Sequence, residues 1–164
     1  SINSAENGVS GNCLDSEPAN QVFALDERLA DFGQYIERAK KAKPTYMKMR
    51  CNDLYRVLTD SFFSDFETKG LTPAEMLEKV DQMIEALKAL KSVPITPITP
   101  RPSDAEFDAL IQQLQLIQPI LKQASETEKV KDSKLRCKPK CKEDKVACSI
   151  QPAGSSDWVD LPEF

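Results

Sequence analysis

Four stretches of this chain repeat apolar residues at helical spacing. In the first, Val22, Leu25, Leu29, Phe32, Ile36 and Ala39 follow one another in alternating steps of three and four. That spacing draws one stripe down a helix. The helix is predicted over about 17–43, with Asp15 or Ser16 as cap and Pro18 in its first turn. Pro44 ends or bends it, and a bent continuous helix is a real alternative to a turn.

The second stripe, over 45–68, has Met47, Cys51, Leu54, Leu58 and Phe62 as its inner face, broadened by Tyr55, Val57, Phe63 and Phe66. Gly70 supplies its stop. The third, over 73–91, has the clearest start. Leu71-Thr72-Pro73-Ala74-Glu75-Met76 sets a threonine cap, a first-position proline and a third-position glutamate, with Leu71 and Met76 placed as a hydrophobic staple. Its stripe runs Met76, Val80, Met83, Leu87, Leu90. The fourth opens on a second capping box, Ser103 to Glu106, and continues through Phe107, Leu110, Ile111, Leu114, Ile117 and Leu121. Pro119 should kink it, and helix-compatible sequence carries it to about 135.

Between the third and fourth stripes lies a proline-rich linker, 92–102, in which Ile-Thr-Pro occurs twice. A polyproline II segment of that length spans ~34 Å at ~3.1 Å per residue. The linker can therefore carry the chain from one end of a bundle to the other. The predicted fold is all-α: a four-helix bundle over 15–136, with a long crossover between helices three and four. A loose leader, 1–14, precedes it, and a cysteine-rich basic hook with an extended tail, 137–164, follows. A run of the crossover along the whole bundle would lay helix four parallel to helix three and bring its end to Cys51; an up-down-up-down bundle would bring it to Cys13 instead.

Composition changes the picture at the cysteines. The 164 residues include five cysteines and no histidine. Cysteine catalysis usually needs a histidine base, and a zinc site would need four thiolates in a spacing that lacks the tight C-x-x-C knuckle. Disulfides are the expected use, and they place the chain outside the cytosol. Four of Cys13, Cys51, Cys137, Cys141 and Cys148 are expected to pair in an arrangement the sequence leaves open, with at least one of the last three reaching back to Cys13 or Cys51. The odd cysteine leaves a disulfide-linked dimer open. No signal peptide is visible, so Ser1 is expected near the start of a mature chain. No segment approaches the ~20 apolar residues of a membrane span.

The net charge is −4, yet residues 129–145 hold eight basic side chains against three acidic ones. Lys138, Lys140, Lys142 and Lys145 are the candidate patch for an anionic partner. Tyr55, Phe62, Phe63, Phe66 and Met83 are the candidate apolar pocket, since methionine and aromatic side chains line cavities as readily as they fill cores. Trp158 is expected to fold back and plug the bundle. The sequence carries no GxSxG, P-loop, dinucleotide glycines or HExxH. No catalytic residue, metal or cofactor is expected. The function read from these features is a secreted, non-enzymatic, effector-like or cytokine-like protein that binds an extracellular or host protein. The alternative is a carrier of a fatty acid or sterol in the bundle core. Nucleic acid is not an expected partner.

Overall fold

The computed structural model describes residues 29–98 and 101–164. The leader, Cys13, and the start of the first stripe with Val22 and Leu25 lie outside the described residues. The helices are α1 (Ala30–Ala39), α2 (Lys43–Cys51), α3 (Asp53–Thr68), α4 (Pro73–Leu90) and α5 (Asp104–Glu126). A 3₁₀ turn, Lys40–Ala42, joins α1 to α2 and lets Pro44 stand in the first turn of α2, where a missing N–H costs nothing. The break falls instead at Asn52, whose extended backbone ends α2 and whose side chain accepts from Leu54 N at the start of α3.

That break shifts the buried face of the second stripe. Tyr55, Thr59 and Phe66 are buried on α3, while Leu54 and Val57 point to solvent at 37% and 79% exposure. Both capping boxes form as the sequence requires, Thr72 with Glu75 and Ser103 with Glu106. The stripes they start bury Met83, Ile84 and Leu87 on α4 and Phe107, Leu110, Ile111, Leu114 and Leu121 on α5. Pro119 lies inside α5 without ending it.

The all-α expectation is wrong. The fold is mixed, because a three-stranded antiparallel sheet follows the helices: β1 (Lys134–Lys140), β2 (Lys145–Gln151) and β3 (Val159–Asp160), in that order. α5 stops at Glu126 rather than near 135. Beyond the turn, Leu135, Cys137, Val146, Cys148 and Ile150 are buried at every second position, the period of a half-buried strand. Arg136 and Lys138 fill the alternate positions of β1, and their charge masks the period in the sequence. Pro139 is tolerated because β1 has β2 on only one side.

The crossover is also absent. Lys91 pairs with Asp108, and Gln118 Nε2 donates to Asp81 at 2.7 Å. Numbers rise along α4 as they fall along α5, so the two helices are antiparallel. Arg101 closes the proline-rich segment into a return loop, donating from Nε to Val93 O at 2.6 Å and from Nη2 to Lys91 O. The reach of an extended segment is an upper limit, and here the arginine draws its two ends together.

Cys51 nevertheless bonds Cys141, across 90 residues of sequence. β1 makes this possible. It starts beside Leu71, whose backbone pairs with Leu135, and runs back past Tyr46 to the end of α2. Cys137 and Cys148 face each other across the hairpin and form the second disulfide, with Cα atoms 4.1 Å apart. The tail is docked. Leu161 N donates to Cys148 O, and Phe164 exchanges two backbone hydrogen bonds with Val146. Trp158 does not plug the bundle. It lies over Gly70 and the Arg136 guanidinium, 4.0 Å from the ring centre. A Cβ at Gly70 (φ +79°) would stand 2.5 Å from that ring.

Candidate ligand cavity

Two apolar clusters form the core. One joins α1, α2, the end of α5 and the sheet; the other joins α4 to the first half of α5. Phe63, Val80 and Ile117 touch both. Packed cores leave few voids larger than a water molecule. Here a cavity of about 130 Å³ remains where the clusters meet.

Every layer contributes to its wall. α1 supplies Tyr35, Ile36 and Ala39; α2 supplies Lys43, Tyr46 and Met49; α3 supplies Phe62, Phe63 and Phe66. α4 adds Met76, Lys79, Val80 and Met83, which share one face at helical spacing. α5 adds Leu114, Ile117 and Leu121, and the hairpin and tail close the far side with Leu135, Cys137, Val146, Cys148 and Phe164. Of the five residues the sequence nominates for a pocket, Phe62, Phe63, Phe66 and Met83 stand together in this wall. Tyr55 does not. It belongs to the second cluster, where its hydroxyl donates to Glu106 Oε2 at 3.1 Å. Burial, aided by that carboxylate, pushes its pKa up to about 12.

The lining is nearly free of polar groups. Burial raises the Tyr35 pKa well above the ordinary phenol range. Tyr46 turns its hydroxyl away, donating to Glu67 Oε2 and lying 3.1 Å from Cys137 O; burial and then Glu67 raise its pKa too. No aspartate or glutamate is among the described lining residues, and the charged side chains there are those of Lys43 and Lys79. Lys43 donates to the Asp144 carbonyl at 2.8 Å. Lys79, half-buried, has no ion pair or hydrogen bond among the described residues. Lys43, Lys79, Leu135, Val146 and Phe164 were not foreseen as lining. Interleaved basic residues mask the period-two run at 135–150 that carries the strand residues, and nothing local marks the two lysines.

Arg50 forms a second, polar site beside the cavity. Its guanidinium is buried, and each nitrogen donates: Nε and Nη2 to Glu67, Nη2 also to Asp60, Nη1 to Thr59 and the Arg56 carbonyl. Its donors are taken up within the protein. The arrangement ties α2 to α3 next to the Cys51–Cys141 bond.

The four candidate lysines of the hook separate. Lys140 is engaged by Glu163. Lys138, Lys142 and Lys145 are exposed and unpaired among the described residues, Lys138 and Lys145 on the strands and Lys142 in the turn. The four described cysteines are consumed by the disulfides, and among the described residues no cluster of three metal-ligating side chains occurs. None of the described helices is long and apolar enough to cross a membrane. Comparison with known protein families, curated proteins and solved structures finds no match.

Proposed function

We propose that this chain is a non-enzymatic, exported carrier that holds a small apolar ligand in the cavity between its helices and its C-terminal hairpin. One observation carries the reading: a half-open pocket of about 130 Å³ with an almost wholly apolar wall drawn from five helices, the hairpin and the tail. Its volume is close to that of an enclosed apolar cavity of about 150 Å³ that binds benzene. Sites that enclose drug-sized molecules run to roughly 300–1,000 Å³. The size therefore favours a single ring or chain over a fused-ring sterol. Met49, Met76 and Met83 in the wall allow modest expansion, because methionine adapts its shape at low cost. The two disulfides support export from the cytosol.

The test fills the void. In Ala39→Leu the added atoms enter the cavity from α1. Such filling commonly stabilises by about 0.5–2 kcal/mol, and here it should abolish displacement of a fluorescent hydrophobic probe that the wild type binds. Native mass spectrometry of the wild type should detect a co-purifying small molecule that Ala39→Leu lacks. An empty wild type that binds no probe rules the carrier out.

A second reading, an extracellular protein or polyanion bound through the hairpin, is favoured by the unpaired Lys138, Lys142 and Lys145. It requires retention on heparin at low salt that is lost when these three are neutralised.

A further inference from the structure

Resting on the carrier reading, we infer that the ligand is a linear amphiphile with a single carboxylate, its chain in the cavity and its head on Lys79. The wall is apolar, and the charged side chains among its lining residues are those of Lys43 and Lys79. A lysine in a folded protein commonly finds an acidic neighbour, as Lys91 does in Asp108 and Lys140 in Glu163. Lys79 makes no ion pair or hydrogen bond among the described residues, although it is half-buried beside the apolar residues of the wall. An unpaired cation is stabilised by an incoming anion, and a charge-assisted hydrogen bond to it is stronger than a neutral one. The apolar depth of the cavity then selects the tail. A neutral alcohol of equal length would bury the same chain but leave Lys79 uncompensated. An alkylammonium would be repelled.

The full-length, disulfide-intact protein is titrated calorimetrically with octanoate, octanol and octylammonium, and with hexanoate for chain length. Octanoate should bind at least about tenfold tighter than octanol, octylammonium weakest. Each methylene should raise affinity by about fourfold until the cavity is full. Lys79→Met, which keeps the aliphatic stem and the helix propensity, should bring octanoate down to the affinity of octanol and leave octanol unchanged. Lys79→Gln repeats the test in a second helix-compatible side chain. Equal binding of octanoate and octanol by the wild type, or an octanoate preference that survives both substitutions, overturns the assignment of the head group while leaving an apolar-ligand carrier standing. Failure of octanoate and octanol alike to bind overturns the carrier reading itself, and this inference with it.

Discussion

Glu67→Gln should be among the most destabilising single substitutions outside the apolar core. The Arg50 side chain is 5% exposed and that of Glu67 15%. Two guanidinium nitrogens donate to this one carboxylate, at 2.9 and 3.1 Å, and Tyr46 donates to it at 2.8 Å. Neutralising Glu67 leaves a buried cation without its principal counter-charge, a change that costs about 3–5 kcal/mol in comparable sites. Asp60 provides an internal control. It binds the same guanidinium at 3.0 Å, but its side chain is 66% exposed, so Asp60→Asn should cost under about 1 kcal/mol. The double change Arg50→Met with Glu67→Leu removes both charges together and should recover much of the loss, since apolar replacement of a buried pair is often close to neutral. Urea unfolding followed by circular dichroism reads all four proteins. For a domain of this size each kcal/mol moves Tm by roughly 2–4 °C. A loss below about 1 kcal/mol for Glu67→Gln, or an equal loss for Asp60→Asn, refutes the claim that burial decides the value of this ion pair. A double variant no more stable than Glu67→Gln refutes the coupling.

Three further outcomes follow from separate parts of the fold. Cys51→Ser with Cys141→Ser opens a 90-residue loop at partly exposed positions and should cost ~4.6 kcal/mol in the chain-entropy account; a urea-measured loss under about 2 kcal/mol would contradict it. The Ser133 hydroxyl is fully buried with no hydrogen-bond partner, so Ser133→Ala should be neutral or stabilise by up to about 1 kcal/mol, and a clear loss in thermal unfolding would reveal an unseen partner. All three tyrosines have folded pKa values raised above the ordinary 10.0. Their contribution to stability is full below pH 10 and falls as pH rises toward 12, since the unfolded chain releases those protons first. Tyrosinate absorbance should therefore appear with unfolding, and ionisation of a tyrosine near pH 10 in a chain with native circular dichroism would overturn this.

The sequence by itself determined whatever is written within a few turns of backbone. The Thr72–Glu75 and Ser103–Glu106 capping boxes, the stripes of α4 and α5, and the stop at Gly70 were legible because capping and helical periodicity depend on residues three or four apart. The break at Asn52 was less so, because a single side-chain cap competes with continued apolar spacing on either side of it. Disulfide use followed from five cysteines without a histidine, but the pairing of Cys51 with Cys141 did not identify the topology. It forms although α4 and α5 are antiparallel, because β1 rather than a helix carries the chain back to α2.

Only the tertiary structure decided the direction of α5, the hairpin and the cavity. The proline-rich segment permits a span or a return, and Arg101 settles it through carbonyls eight and ten residues away in sequence. The strand period at 135–150 is broken by a turn and overlaid with lysines, so it becomes readable only when one face meets the helices. The cavity belongs to no segment. Its wall draws on residues from Tyr35 to Phe164, and a void is a property of how side chains distant in sequence fail to fill the space between them.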